Sequence, residues 1–229
     1  MKCVTGARFW PGVAGPRVSR WLDAVNARHP WNHNDYFHSW ILANLPAERT
    51  SALDVGCGRG RLVATLSPHF DRVLGTDIDG PMRAAARHRC AGLGNVRVSG
   101  EQLAELDGPF DLITMVAVLH HLDVREALAG VRRLLAPGGR FLAVGLARPS
   151  SAADHLWDLW SAVTNPVIGF VHHPWPSPDG HPPAPFPVQD PALSHDEIRR
   201  LLAETMPGAA MRRRIGFRHT IGWTKPAAR

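Results

Sequence analysis

Short apolar runs alternate with amphipathic stretches through the middle of the chain. The apolar runs predict five strands, at residues 51–55, 72–76, 95–99, 110–115 and 140–146. Between them, apolar residues recur at helical spacing and predict helices at residues 59–67, 80–90 and 123–135. Such alternation predicts a parallel sheet covered by helices on both faces, with ligands bound where the strands end.

Less regular patterns flank this alternating region. From Trp31 to Leu45 apolar and aromatic residues recur at helical spacing, and Pro46 ends the predicted helix. Downstream, Ser194 and Glu197 have the spacing of a capping box, which predicts a helix to about residue 204. Two final strands are predicted near residues 209–215 and 217–224.

The segment 147–192 interrupts the pattern. Residues 151–154 predict a helix cap, but eight prolines lie between positions 174 and 191. That is too many for the interior of a helix or a strand. We expect an insertion that caps the sheet, in which the prolines form a stiff loop rather than a ligand for an aromatic-groove domain.

The length of 229 residues fits one α/β domain with little left for a second. We therefore expect a single domain with four parts. These are an N-terminal helical lid (1–50), a core (51–146), a cap insertion (147–192) and a final helix with two strands (193–229).

Composition predicts a cytoplasmic protein without a metal site. No stretch approaches the roughly 18 apolar residues of a membrane span, and the N-terminus lacks the apolar core of a signal peptide. The three cysteines, Cys3, Cys57 and Cys90, are scattered and odd in number. They indicate neither a disulfide framework nor a zinc cluster, and we interpret Cys57 as a small residue that fills a turn.

Positive charge is concentrated near the C-terminal end. Residues 193–229 hold eight Arg or Lys against three Asp or Glu, within a net charge of +6 for the chain. A basic segment of this kind can bind nucleic acid. We favour the alternative that the arginines at 212–214 and 218 keep an edge strand soluble, because no aromatic-interleaved patch accompanies them.

The first predicted strand ends on a carboxylate and leads into a glycine-rich loop. Asp54 precedes Gly56, Gly58 and Gly60, and Asp77 ends the next strand. Neighbouring strands with such ends make a nucleoside site. The spacing is Gly-x-Gly-x-Gly rather than the Gly-x-Gly-x-x-Gly of dinucleotide sites, and a carboxylate before the glycines would repel a pyrophosphate. An acidic residue there suits a ligand that carries an ammonium and a sulfonium group.

These residues resemble motif I of the class I S-adenosylmethionine-dependent methyltransferases, Asp/Glu-x-Gly-x-Gly-x-Gly. Later segments resemble the family's fourth strand (Phe110–Ile113), the segment that follows it (Leu119–Leu122), and the helix end, turn and fifth strand (Leu135–Leu142), in the expected order. Within the last segment we expect Pro137, Gly138 and Gly139 to form the turn that ends the helix. The resemblance covers residues 51–146. It implies a Rossmann-like, doubly wound α/β fold of seven mostly parallel strands, the last antiparallel, with a cap insertion after strand five.

The resemblance also implies S-adenosylmethionine as the cofactor and S-adenosylhomocysteine as the product. Gly56 and Gly58 would let the methionine moiety approach the backbone, because neither has a Cβ. Asp54 would order the amino end of the ligand. Asp77 would accept hydrogen bonds from both ribose hydroxyls, with Ile78 beneath the adenine.

Two further groups of residues are expected near the cofactor. The resemblance places Glu101 or Gln102, after the third strand, at the adenine amino group. In related methyltransferases a polar and aromatic segment before the first helix covers the cofactor, which makes His33, Asn34 and Tyr36 candidates for a lid. An ordinary helix N-terminus with one core aromatic is the alternative.

The candidate catalytic residues are His120 and His121, which follow the fourth strand. Methyl transfer is an in-line displacement in which positioning supplies most of the rate. A hydroxyl or ammonium acceptor also has to lose a proton, and histidine titrates in the required range. Similar methyltransferases use such a histidine either as a base or as cofactor packing, and we favour His120 over His121 for the base.

The acceptor pocket is expected in the cap insertion, where several aromatic and imidazole side chains would form mostly apolar walls. The candidates are Trp157, Trp160, Phe170, His172 and Trp175. The alternative is a helix that faces the core, which is the more frequent role of tryptophans at helical spacing.

Three functions remain open at this point. The leading one is methylation of an O, N or C atom of a small, aromatic or polycyclic molecule. An RNA methyltransferase that uses the arginine-rich end is the first alternative, and a non-catalytic S-adenosylmethionine-binding module is the second. The sequence carries no Asn/Asp-Pro-Pro-Tyr/Phe segment after strand four and no Pro-Cys nucleophile, which disfavours nucleic-acid base methylation.

Overall fold

The computed structural model describes residues 36–151, 154, 191–214 and 218–227. The chain forms two units. One comprises residues 33–148, 191–214 and 218–229 and holds the whole sheet described below. The other comprises residues 1–32, 149–190 and 215–217, of which only four residues, at 149–151 and 154, are described.

Seven strands form one sheet in the described part of the chain. They are β1 (Ser51–Val55), β2 (Arg72–Thr76), β3 (Val96–Ser99), β4 (Phe110–Val116), β5 (Leu135–Gly145), β6 (Ala210–Arg214) and β7 (Arg218–Thr224). The order is β3-β2-β1-β4-β5-β7-β6. Strands β1 to β5 are parallel, and β7 is antiparallel to both β5 and β6. The predicted Rossmann-like sheet with an antiparallel last strand is confirmed.

Five helices flank this sheet in the described ranges: α1 (His38–Leu42), α2 (Arg61–Leu66), α3 (Gly80–Arg89), α4 (Val124–Leu134) and α5 (His195–Thr205). Side chains cap three of them. Asp79 accepts from the Met82 N–H at the start of α3, and Asp123 accepts from the Glu126 N–H at the start of α4. The predicted capping box opens α5: the Ser194 hydroxyl accepts from the Glu197 N–H, and the Glu197 carboxylate accepts from the Ser194 N–H.

Both faces of the sheet are buried, as the apolar runs of β1 and β4 require. Leu53 and Ile113 belong to the core beneath α4 and α5. Ala52 and Leu112, their neighbours in sequence, belong to the core beneath α1, α2 and α3. Alternate residues of each strand therefore face opposite helical layers.

Strand β5 begins five residues earlier than the sequence predicts. Pro137, Gly138 and Gly139 were expected to form a turn, but they lie within β5. The Gly138 N–H donates to the Lys225 carbonyl and the Lys225 N–H donates to the Gly139 carbonyl, each at 2.9 Å. A Cβ at Gly139 would come within 3.0 Å of the Phe110 carbonyl oxygen, so glycine is needed where β5 shifts its register against β4.

Little of the predicted cap insertion lies within the described residues. At its start the predicted helix cap is present, because the Asp154 N–H donates to the Ser151 hydroxyl and the Ser151 N–H donates to the Asp154 carboxylate. The proline-containing segment 174–191 lies almost wholly outside the described residues. Within those ranges, we find no helix that has both the length and the apolar character to cross a membrane.

Candidate functional site

The loop between β1 and α2 runs through three glycines in the left-handed region. Their φ angles are +68° at Gly56, +52° at Gly58 and +73° at Gly60. A Cβ at Gly56 would overlap the Val118 side chain, and one at Gly60 would lie 3.0 Å from the Cα of Ala86 in α3. Only at Gly58 would a Cβ meet nothing within 4 Å. Gly58 therefore presents bare backbone to open space, whereas Gly56 and Gly60 lie close to their neighbours in the fold. The expected contact between Gly56 and the methionine moiety stays a prediction.

Asp77, at the end of β2, is tied to this loop. Its Oδ2 accepts from the Gly58 N–H at 2.8 Å, and its Oδ1 accepts from the Asp79 N–H at 2.9 Å. A carboxylate can accept about four hydrogen bonds, so two acceptor positions remain for hydroxyl groups. Ile78 follows directly and is 80% exposed. An exposed apolar side chain beside a half-buried carboxylate is the arrangement that a ribose with an attached purine requires.

Asp54 lies at the end of β1, beneath the loop, and is 3% exposed. The Thr114 hydroxyl of β4 donates a 2.7 Å hydrogen bond to its Oδ1. Burial raises the pKa of Asp54 to about 7, the Thr114 hydrogen bond opposes that shift and the nearby Asp77 adds to it. A positively charged ammonium placed here would stabilise the carboxylate form.

Sequence reasoning missed Thr114. Only the strand register could have identified it, because Thr114 pairs directly with Asp54 across the parallel strands β4 and β1. A polar residue in an otherwise apolar strand indicates a buried partner, but the partner depends on a pairing between distant parts of the chain.

Cys57 has the packing role that was predicted from its position in the turn. The thiol is buried, burial raises its pKa, and its Sγ lies 3.0 Å from where a Cβ of Gly75 would stand. Gly75 on β2 therefore makes room for the turn. A thiol held in its neutral form is a poor nucleophile.

The residues expected at the adenine follow β3 on the surface. Glu101 is paired with Arg97, with 3.0 Å between the guanidinium nitrogen and Oε2. The Gln102 N–H donates to the carboxylate of Glu105 at 2.8 Å. An adenine contact by Glu101 would have to compete with an exposed ion pair, which is weak in water. Both assignments stay predictions.

Of the predicted lid, His33 and Asn34 lie outside the described residues. Tyr36 is 42% exposed, and its ring meets the buried Phe37 edge-on with 5.4 Å between centroids. Phe37 thus supplies the core aromatic, and a role for Tyr36 over the cofactor remains a prediction.

His120 and His121 lie in a short 3-10 turn (Leu119–His121) after β4. The chain turns sharply into this segment through Ala117, a non-glycine residue with a φ of +57°. His121 is exposed, whereas His120 is half-buried and lines a hollow of about 200 Å³. The Nδ1 of His120 is buried and has no hydrogen-bond partner within the described residues. The two histidines thus differ in their access to this hollow.

The hollow has mostly apolar walls and lies at the carboxyl ends of β4 and β5. Its lining residues are Leu119, His120, Leu122, Asp123, Val124, Leu146, Pro191, Ala192, Leu193, Ile198 and His219. His219, on β7, was not among the residues predicted for the site. The predicted pocket residues Trp157, Trp160, Phe170, His172 and Trp175 all lie outside the described residues.

The residues around the loop fit the cofactor that the sequence resemblance implies. Three features lie between the loop and the end of β2. There is open space beside Gly58, Asp77 has two remaining acceptor positions, and Ile78 is exposed. A buried carboxylate with a raised pKa lies beneath the same loop. Together they match a nucleoside that carries a cation.

Sequence comparison finds methyltransferases. A family model described as a methyltransferase domain matches residues 53–141. An uncharacterised methyltransferase of Mycobacterium tuberculosis strain H37Rv is 32% identical over 200 residues, which cover 86% of this chain and 98% of that protein. A ubiquinone biosynthesis O-methyltransferase of Pseudomonas paraeruginosa is 29% identical over 128 residues, which cover 53% of this chain and 55% of that protein.

Comparison with solved structures finds the same fold. Magnesium protoporphyrin IX methyltransferase from Synechocystis PCC 6803, crystallised with S-adenosylhomocysteine, aligns with a TM-score of 0.53. The alignment is 20% identical and covers 95% of this chain and 91% of that one. At this identity the likeness concerns the arrangement of the sheet and helices, not the acceptor.

Proposed function

We propose a small-molecule acceptor for this chain, which belongs to the class I S-adenosylmethionine-dependent methyltransferase family. The methyl group would go to an oxygen, nitrogen or carbon atom of an aromatic or polycyclic compound, as in secondary metabolism. The observation that carries this proposal is the apolar hollow beside His120, at the carboxyl ends of β4 and β5. Mostly apolar walls with a few polar groups are typical of sites that bind small molecules.

The name of one sequence relative agrees with a ring-containing acceptor. It is a ubiquinone biosynthesis O-methyltransferase. The name describes that protein, and we extend from it only the general class of a planar organic molecule.

S-adenosylmethionine supplies an electrophilic methyl group when it is bound, and the chain's own residues hold it in place. Asp77 would accept from the ribose hydroxyls, Ile78 would cover one face of the adenine and the Gly58 backbone would border the methionine moiety. Asp54 would face the ammonium group and stabilise it through opposite charge. Positioning of this kind supplies most of the rate of an in-line displacement.

His120 is our candidate for the base. Burial, the neighbouring His121 and the positive charge of Arg218 lower the pKa of His120 to about 4. The imidazole is therefore unprotonated at neutral pH and can accept the proton of a hydroxyl acceptor as the methyl group arrives.

The described residues do not favour an RNA substrate. The Nε of Arg214 donates to the Thr220 hydroxyl, and Arg218 is partly buried with a pKa that burial lowers to about 10. Of the arginines at 212–214, only Arg212 is exposed, and the other two are half-buried. The arginines therefore do not form one continuous exposed strip of the kind that follows a phosphate backbone.

We also propose a cytoplasmic location. Cys57 and Cys90 are both free and buried, which agrees with a reducing compartment.

Radiolabelled methyl transfer into extracts of the source organism tests the function. The extract is separated into small molecules, RNA and protein after incubation with labelled S-adenosylmethionine. We expect label in the small-molecule fraction, and much less of it with the Asp77→Ala variant at the same cofactor concentration. Label in RNA would overturn the small-molecule proposal, and intact S-adenosylhomocysteine binding without label in any fraction would indicate a non-catalytic module.

A further inference from the structure

His219 occupies an unusual position at the start of β7. It pairs with Gly145, the last residue of β5, and its side chain is 1% exposed. A Cβ at position 145 would lie 2.6 Å from the Nε2 of His219. Only glycine at position 145 therefore leaves room for this imidazole, which lines the hollow.

Neither ring nitrogen of His219 has a hydrogen-bond partner within the described residues. Its ring meets His195 edge-on, with 5.6 Å between the centroids. Buried polar atoms in proteins are nearly always hydrogen-bonded, and leaving them without a partner is costly. A buried imidazole whose two nitrogens are both unsatisfied therefore points to a ligand that completes its hydrogen bonds.

The hollow contains a second atom of the same kind. His219 and His120 both line it, and the Nδ1 of His120 is also buried without a partner in the described ranges. Most of the remaining wall is apolar: Leu119, Val124, Leu146, Leu193 and Ile198. Two imidazoles in an apolar hollow can recognise a ring compound that carries a small polar group.

We infer that His219 is a second acceptor-binding residue, and that with His120 it selects an acceptor that presents a hydroxyl group, such as a phenol, to the hollow. A neutral imidazole offers one donor and one acceptor. A hydroxyl group can donate to one imidazole and accept from the other. A carboxylate can only accept, so it could not donate to the imidazole nitrogen that has to accept a hydrogen bond, and that buried nitrogen would stay unsatisfied. This inference rests on the proposed methyltransferase function and narrows its acceptor.

The electrostatic surroundings keep His219 neutral. Burial lowers its pKa to about 3, and the neighbouring His195, Arg218, His120 and Arg199 act in the same direction. The positive electrostatic potential of these neighbours also favours a developing negative charge on an acceptor oxygen. In the reaction, the bond between the methyl carbon and sulfur breaks and a carbon–oxygen bond forms. The hydroxyl proton passes to His120, while His219 donates a hydrogen bond to that oxygen.

Calorimetry with matched probes tests the selection. The probes are 2-naphthol, 2-naphthoate and naphthalene, added to the protein saturated with S-adenosylhomocysteine. We expect 2-naphthol to bind at least about fivefold more tightly than either other probe, which is the effect of one net hydrogen bond. Equal or tighter binding of 2-naphthoate, or no binding of 2-naphthol by the wild-type protein, would overturn the inference.

Three variants assign that preference to His219. His219→Phe should lose the preference for 2-naphthol, and His219→Gln, which keeps a donor and an acceptor, should retain most of it. His88→Gln, an exposed histidine on α3, is the matched control and should bind like the wild type. A His219→Phe variant that folds and keeps the preference would contradict the assignment.

Nitrogen NMR of the histidine side chains gives a readout that does not depend on any variant. In the wild-type protein at pH 7, the His219 nitrogens should show a neutral ring whose resonances move when 2-naphthol is added. Resonances that do not move would overturn the inference. Failure to bind S-adenosylhomocysteine would instead contradict the proposed function, so the two failures are distinguishable.

Discussion

The Asp77 carboxylate accepts a 2.8 Å hydrogen bond from the backbone N–H of Gly58. The residue predicted to hold the ribose therefore also fixes the glycine whose backbone borders the open space of the site. Because the two interactions share one carboxylate, ligand binding and loop order depend on the same side chain.

Substitution of Asp77 separates these two roles. Asp77→Ala removes the acceptor for two backbone N–H groups and for the ribose, so we expect the S-adenosylhomocysteine affinity to fall more than about tenfold while the core remains folded. Asp77→Asn keeps one oxygen acceptor and should lose less of the affinity for S-adenosylhomocysteine. Calorimetry measures the affinity and circular dichroism the fold. Unchanged affinity in Asp77→Ala would mean that the ribose lies elsewhere.

Asp54 makes the stability of the ligand-free protein depend on pH. Its pKa is raised from 3.8 to about 7 by burial, so the folded state binds a proton more tightly than the unfolded state. Stability from this proton is present below the unfolded pKa and is lost as pH rises through about 7. The change in the free energy of unfolding that Asp54→Asn causes should therefore be more favourable at pH 8 than at pH 5, by about 1–4 kcal/mol.

Urea unfolding at the two pH values measures this difference. Asp71→Asn, at an exposed position, is the control and should show no such pH dependence. An equal effect of Asp54→Asn at pH 5 and pH 8 would show that the Asp54 carboxylate is not desolvated in the folded protein.

Gly58 and Gly60 should respond differently to alanine. Both have positive φ angles, but a Cβ at Gly60 would meet Ala86 of α3 at 3.0 Å and one at Gly58 would meet nothing. We expect Gly60→Ala to lower the free energy of unfolding by about 2–3 kcal/mol and Gly58→Ala by about 1 kcal/mol. Gly58→Ala should instead lose S-adenosylhomocysteine affinity. Thermal unfolding and calorimetry of the pair test this, and the reverse ranking of stabilities would contradict it.

The rate of methyl transfer should depend little on pH near neutrality. The base form of His120 is active, and its pKa is about 4, so the rate at saturating cofactor should stay level from about pH 6 to pH 8. It should fall only below about pH 5, as the imidazole becomes protonated. A profile with a midpoint near the usual histidine value would mean that His120 is not desolvated or is not the base.

Lys225 stabilises the C-terminal end of α4. Its ammonium group donates to the carbonyl oxygens of Arg132 and Leu135, at 2.7 and 2.6 Å. These carbonyls lack partners within the helix, and a positive charge there is favourable. Lys225→Met should lower the free energy of unfolding by about 1–2 kcal/mol, and Lys225→Arg should recover part of it. No loss in Lys225→Met would mean that water replaces the ammonium group without cost.

Local patterns predicted the strands, the glycine loop and the capping box of Ser194 and Glu197, because each depends on residues close together in the sequence. The contacts that the sequence did not predict are between distant parts of the chain. Thr114 reaches Asp54 only through the pairing of β4 with β1, and His219 is buried only because β7 pairs with β5. In the sequence His219 is one polar residue in a predicted strand.

The early start of β5 has the same origin. Pro137 and Gly138 are typical of a turn, and only the backbone of Lys225, far along the chain, makes this segment part of the ladder. The bounds of the strand therefore depend on a partner that no local pattern identifies.

The insertion of β7 between β5 and β6 has a consequence for how the protein acquires its structure. Strand β5 pairs with residues 219–224, which are separated from it by the whole segment 146–218. Closing such a long loop is slow. Until it closes, the apolar strand β5 remains an uncovered edge that can pair with another molecule. Newly made chains should therefore be most prone to aggregate before β7 joins the sheet.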